Sequence, residues 1–256
     1  MSTAAMSPPA DRRLDDAIVA AGLADTIDRA RALIAAGLVA VGDASGRSAD
    51  QRLENGVSVR LRGAPHPWAS RGGLKLVAAL DAFGVGVEGR VCLDAGASTG
   101  GFVDVLLARG AAQIYAVDVG YGQLLTRIAR DERVVILDRT NIRLLTSLPG
   151  EQPSLVTLDL SFISLRAVLP NLALLAPRAD VVVLFKPQFE VGREAVGPGG
   201  VVTDAAVVLD TINSFVAWVT TTLPATCLGP AIESPICGAK GNHEWLIHLR
   251  LPGERM

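Results

Sequence analysis

Asp94-Ala95-Gly96-Ala97-Ser98-Thr99-Gly100-Gly101-Phe102 follows the apolar segment Val91-Cys92-Leu93 and opens a helix-like run over 101–109. A second apolar segment, Ile114-Tyr115-Ala116-Val117, then ends in Asp118. Strand, glycine turn, helix, strand and terminal acid describe a nucleotide-type crevice at the edge of a parallel sheet. The glycines let the backbone approach a ligand closely, and the carboxylate of Asp118 can accept both hydroxyls of a ribose.

Phosphate-binding turns fit this stretch less well. A dinucleotide fingerprint wants Gly-x-Gly-x-x-Gly, but Ser98 stands where the second glycine belongs. A P-loop would close on Gly-Lys-Ser/Thr, and this chain has Gly100-Gly101-Phe102. Asp94 would repel a pyrophosphate yet suits the cationic amino-acid end of S-adenosylmethionine (SAM). SAM is therefore the expected cofactor, framed by Asp94, Gly96, Ser98, Thr99, Gly100, Gly101, Phe102 and Asp118. A dinucleotide site and a ligand-free glycine turn are the alternatives.

The 256 residues, 50% of them apolar, suit one large domain plus a small one. No run approaches the ~20 apolar residues of a membrane span. No basic segment followed by an apolar stretch opens the chain, so neither membrane nor export is expected. Cys92, Cys227 and Cys237 are odd in number and unclustered, and His66, His243 and His248 form no ligand spacing. A reduced, cytoplasmic protein without metal follows, with Cys92 a small buried hydrophobe. The net charge of -2 lacks the basic excess usual in dedicated nucleic-acid binders.

Residues 1–10 read as a disordered tail. Over 11–61 two short helices, bounded by Gly22 and Gly37, precede strands at 38–41 and 57–61, a small α+β unit. Residues 62–69, with Pro65 and Pro67, form a linker. From 70 to 256, strands are expected at 91–93, 113–118, 134–137, 155–159, 181–185, 226–231 and 245–249. Helices are expected at 73–83, 101–109, 122–130, 165–175 and 204–222. Near-continuous apolar strands alternating with helices imply an α/β fold with a mostly parallel, doubly covered sheet.

Several blocks, in order, resemble the TlyA family. They are Ser70-Arg71-Gly72-Gly73-Leu74-Lys75-Leu76, 94–102, Asp118-Val119-Gly120-Tyr121-Gly122-Gln123-Leu124 and Arg139-Thr140-Asn141. Further along come Asp159-Leu160-Ser161-Phe162-Ile163-Ser164-Leu165, Lys186-Pro187-Gln188-Phe189-Glu190 and Gly241-Asn242-His243-Glu244. Members of that family are called hemolysins or ribosomal RNA 2'-O-methyltransferases. They join an S-four-type RNA-binding domain to a SAM-dependent domain similar to FtsJ-type enzymes. The resemblance implies a Rossmann-like methyltransferase sheet and extends the cofactor set to Val119, Asn141 and Asp159. It also implies a Lys-Asp-Lys-Glu catalytic set of Lys75, Asp159, Lys186 and Glu244, with ribosomal RNA or a ribosomal subunit as partner.

The chemistry suits such a set. A ribose 2'-hydroxyl is a poor nucleophile at neutral pH, whereas the sulfonium methyl of SAM is already a strong electrophile. Catalysis needs orientation of the hydroxyl and removal of its proton. Two lysines crowded together and partly desolvated give up protons more readily than free ones. Lys186 is expected to act on the hydroxyl, Asp159 and Glu244 to orient, and Lys75 to position. Asp159 and Lys186 follow strands, at the edge where α/β sheets bind ligands. Glu244 reaches that edge if the last strand runs antiparallel.

The stretch from Gly192 to Gly200 reads as a flexible connection or a lid. Trp68 and Phe162 are expected to pack internally, with base stacking the alternative. The small unit departs from its family. Thr26 and Ile27 stand where a Ser-Arg pair usually begins the second helix, and a 42–46 insert precedes Arg47. Fewer arginines mean fewer phosphate contacts, so a retasked enzyme acting on a small molecule is the second hypothesis. A membrane-active protein is a third, disfavoured because no basic amphipathic helix is visible.

Overall fold

Near-continuous apolar strands build the central sheet, whose side chains divide by parity between two helical layers. The computed structural model describes residues 12–42, 44–46, 48–54, 57–61, 66–223 and 225–253. The expected tail, the linker's first part (62–65), Asp43 and Arg47 lie outside the described residues.

The N-terminal elements are β1 (Arg12–Arg13), α1 (Leu14–Ala20), α2 (Ile27–Ala35), β2 (Val39–Val41), β3 (Ala44–Ser45), β4 (Arg52–Leu53) and β5 (Val59–Leu61). Gly22 and Gly37 follow the two helices at φ +68° and +74°, as helix-ending glycines do. Thr26 caps α2 by accepting the Arg29 N–H at 3.1 Å. β2 pairs antiparallel with both β3 and β5. Leu14, Ile18, Leu33 and Val39 fill a separate small core.

Next come α3 (Gly72–Phe83), β6 (Val91–Ala95), α4 (Gly101–Ala108), β7 (Gln113–Val117), α5 (Thr126–Ala129), β8 (Val134–Leu137) and β9 (Leu155–Leu158). The chain ends with α6 (Leu169–Leu175), β10 (Asp180–Phe185), α7 (Ala205–Thr222), β11 (Thr226–Cys227), β12 (Ile232–Glu233) and β13 (Trp245–Arg250). The sheet order is β11-β13-β10-β9-β6-β7-β8, with β12 also on β13. Strands β8, β7, β6, β9 and β10 are parallel and β13 antiparallel, as expected. The chain winds outward from β6 to β8 and then returns to β9, so the switch point lies between β6 and β9.

Alternate residues face opposite layers. Val181, Val183 and Phe185 join α6 and α7, while Val182 and Leu184 join α3 and α4. Along α7, Asp204 caps the first turn through the Ala206 and Val207 N–H groups. Val208, Ile212, Phe215 and Val219 then form its buried stripe. Burying each such side chain contributes roughly 1.5–3 kcal/mol. This helix is long and apolar enough to cross a membrane by length and composition.

Several expected elements shrink; the helix at 165–175, for one, keeps only α6 behind a 3-10 turn at Leu165–Ala167. The helix at 122–130 becomes α5 alone, because Gly122 adopts φ +61° and donates its N–H to Asp138 at 2.8 Å. The strand at 226–231 shortens to β11, since Gly229 takes φ +110° and Pro230 supplies no N–H, and the unexpected β12 follows just beyond it.

Candidate active site

The glycine turn between β6 and α4 sits over the switch point, beside the loop that leaves β9. Gly96 adopts φ +88°, and a Cβ there would lie 2.4 Å from the Asp159 backbone carbonyl. Gly101 likewise lets the start of α3 approach, since a Cβ would meet Ser70 Oγ at 2.2 Å. Two elements thus converge only because these positions lack side chains.

A cavity of about 400 Å³ opens there. Lys75 enters from the first turn of α3, Asp159 follows β9, Lys186 follows β10 and Glu244 precedes β13. The antiparallel direction of β13 brings Glu244 to this edge. Lys186 Nζ lies 2.6 Å from Asp159 Oδ1, and the buried Lys75 pairs with the buried Glu244. The four charges thus form two ion pairs. Burial alone would push Asp159 up, but Lys186, then Lys75, hold it below the ordinary aspartate range. Lys186 also donates to Ser161 Oγ at 3.1 Å.

Of the expected cofactor residues, Gly96, Ser98, Thr99, Gly101, Phe102 and Asp159 line the cavity. Asp94, Gly100, Asp118, Val119 and Asn141 do not. Gly100 makes room for Ile128, which a Cβ would meet at 2.7 Å. Asp118 accepts the Ser98 N–H at 2.8 Å and the Gly120 N–H at 2.7 Å, holding Ser98 at φ +48°. Each carboxylate oxygen keeps a further lone pair. Val119 is exposed, and Asn141 accepts the Arg143 N–H.

Asp94 lies beneath the turn, 1% exposed. Its Oδ1 accepts the Thr157 hydroxyl at 2.6 Å, while Oδ2 is buried with no partner among the described residues. Burial, helped by the charges of Asp159 and Asp118, pushes its carboxyl up to about 8. A raised pKa means that the fold favours the protonated acid. That stabilisation is full below the ordinary aspartate range and is lost as pH rises through about 8. Each pH unit in that window costs the fold up to ~1.4 kcal/mol. Denaturant melts between these limits should therefore fall more steeply for wild type than for Asp94→Asn, whose amide does not titrate. Parallel curves would refute the buried acid's role.

Sequence reasoning left Arg71, Ser161, Gln188, Lys240 and Asn242 without roles, and all line the cavity. Arg71, Ser161, Gln188 and Asn242 stand inside the matched blocks, and Lys240 directly precedes one. Asn242, 3% exposed, accepts the Val202 N–H at 3.0 Å and donates to the Gly200 carbonyl at 2.9 Å. The far end of the 192–200 stretch is therefore pinned to the site. Trp68 packs internally against Gly73, where a Cβ would lie 2.5 Å away. Phe162 overturns its expectation. It is 88% exposed at φ +63°, with Phe189 tilted beside it at 5.2 Å. Cys92 is fully buried, and burial pushes its thiol up to about 12. Among the described residues no cluster of His, Cys, Asp or Glu is arranged to hold a metal ion.

A five-stranded parallel sheet continued by an antiparallel strand, with its ligand crevice at the switch point, defines a Rossmann-like methyltransferase domain. The description "FtsJ-like methyltransferase" matches residues 68–251. The 16S/23S rRNA (cytidine-2'-O)-methyltransferase TlyA of Mycobacterium tuberculosis is 46% identical over 252 residues, covering 95% of this chain and 91% of that one. Hemolysin A of Brachyspira hyodysenteriae is 34% identical, covering 93% and 99%. A solved structure from Streptococcus thermophilus, named as a hemolysin, superposes with a TM-score of 0.70 at 37% identity, covering 95% and 89%. The chain belongs to the FtsJ-like methyltransferases and, within them, to the TlyA family.

Proposed function

We propose that this protein uses SAM to methylate a ribose 2'-hydroxyl in ribosomal RNA. The observation that carries this reading is the pair of lysine–carboxylate contacts in one cavity beside the glycine turn. The TlyA relative, matched along 95% of this chain, acts on rRNA cytidine, which makes cytidine the first target to test. Because that match extends through the N-terminal elements, it also weighs against the small-molecule alternative. Residues 11–61 then serve as an RNA-binding-type unit, 62–69 as linker and 70–256 as the catalytic domain. The cytoplasm, where ribosomes mature, is the expected location.

When bound, SAM supplies a methyl group on a sulfonium centre. The residues present fit it. Gly96, Ser98, Thr99, Gly101 and Phe102 line the cavity at the turn, and Asp118, one hydrogen bond behind Ser98, has lone pairs for a ribose. The unpartnered oxygen of buried Asp94 lies beneath the turn, and a cation bound above it would favour the ionised carboxylate over the neutral acid.

Lys186 acts on the 2'-hydroxyl. An ammonium in the resting ion pair, it gives one proton to solvent before the step, and the amine left has two N–H donors and one lone pair. With the donors on Asp159 and Ser161, the lone pair is left for the incoming hydroxyl. Asp159 then stabilises the ammonium that forms, and Glu244 holds Lys75 over the same cavity. Exposed Phe162 is placed to stack on a base.

Purified protein and labelled SAM, offered intact ribosomal subunits, naked rRNA and small molecules from cell extract, test this directly. Label is expected on a 2'-hydroxyl of RNA. Label on small molecules alone, or on nothing, would overturn the proposal.

A further inference from the structure

The chain carries 24 lysines and arginines, and only Lys75, Lys186 and Lys240 are lysines. All three line the one cavity. Every other member of the Lys/Arg set is arginine, and the two side chains differ in that lysine presents a compact, strongly hydrated ammonium. Two of the three have carboxylate partners in the site. Lys240 has none.

The charge in the cavity wall is unbalanced in the same direction. Its acids are Asp159 and Glu244, and its cations are Arg71, Lys75, Lys186 and Lys240. The two ion pairs consume Lys75 and Lys186. Arg71 and Lys240 form no ion pair among the described residues, although Arg71 is close enough to help hold Asp159 ionised. Two uncompensated cations on a chain of net charge -2 mark this cavity as a place for anionic groups. Lys240 itself is exposed and directly precedes Gly241-Asn242, whose asparagine pins Gly200, while its Nζ lies 3.6 Å from the position of a Cβ on Gly200. The ammonium thus stands over a braced turn.

We infer that Lys240 and Arg71 form a phosphate-binding rim that grips the RNA backbone beside the ribose being methylated. This inference rests on the function proposed above and adds where the phosphodiester sits. It also bears on the N-terminal unit, where Thr26 and Ile27 replace the family's Ser-Arg pair, since part of the backbone contact moves to the catalytic cavity. A lysine on phosphate contributes a point charge without base readout, so its effect is uniform across sequences.

The test is equilibrium binding of deproteinised ribosomal RNA to wild type, Lys240→Gln, Lys240→Arg and Arg71→Gln across about 50 to 200 mM salt. SAM affinity is measured alongside by calorimetry. Each glutamine variant is expected to weaken RNA binding about tenfold at the low-salt end. Each should also flatten the log–log salt slope by about 0.7 to 0.9, one phosphate contact. Lys240→Arg should keep the wild-type slope, and SAM affinity should hold in all variants. A slope unchanged in both glutamine variants overturns the rim, as does a loss of SAM affinity, which would assign these cations to the cofactor carboxylate. Wild type that methylates RNA with an unaffected slope sinks only the rim. Wild type that binds no RNA sinks the rim and the proposed function together.

Discussion

Replacing Lys186 with alanine is expected to cut methyl transfer by about 10³-fold, within the ~10²–10⁴-fold range of a positioned general base. SAM affinity should stay within roughly twofold, because the lost group acts on the hydroxyl and not on the donor. Lys186→Arg separates charge from proton transfer. Arginine can keep the ion pair that Asp159 makes at 2.6 Å, yet a guanidinium does not release its proton. The arginine variant should therefore be as inactive as alanine. Single-turnover methylation with saturating SAM is the measurement. Retention of more than about a tenth of wild-type rate in Lys186→Ala would remove the lysine from the chemistry. Full activity in Lys186→Arg would reduce its role to electrostatics.

The second large effect lies in a residue with no side chain. In Gly96→Ala the new Cβ would be driven to 2.4 Å from the Asp159 carbonyl, and the backbone stands at φ +88°. Backbone, unlike a flexible side chain, cannot swing away. Left-handed strain of ~1–2 kcal/mol and overpacking of ~1–3 kcal/mol together predict a loss of about 2–5 kcal/mol. For a chain of this size the melting temperature should drop by about 5–15 °C. Methyl transfer should fall further than stability alone explains, since relief of the clash moves Asp159 away from Lys186. Gly84→Ala is the internal control. It shares a positive φ of +64° but faces open space, so only the backbone strain remains. Equal melting temperatures for the two variants would show that the contact between turn and loop is not under the constraint argued here.

Much of this site is legible in the residues because it rests on local rules. The glycine turn between two apolar runs needs only strand-turn-helix patterning and glycine's access to positive φ, and Gly96 and Gly100 both adopt it. The strand at 134–137 coincides with β8, and parity along β10 and β13 follows from burial on two faces. The helix at 122–130 was less legible, since Gly122 is claimed by a bond to Asp138, a partner 16 residues away. Phe162 was misread for a related reason. An aromatic beside apolar neighbours resembles a core residue, but a left-handed turn carries it outward.

The amino-acid order by itself determined the α/β alternation, the glycine crevice and the identities of the titratable groups, because each depends on neighbours within a few positions. Only the tertiary structure decided which lysine meets which carboxylate. Lys75 and Glu244 are 169 positions apart and pair because β13 runs antiparallel beside β10. Ser161 on Lys186, Asn242 on the Gly200 turn and Lys240 at the cavity wall arise the same way. Such contacts depend on sheet order and on how closely two backbones can approach, and neither is written in the local sequence around any one of them.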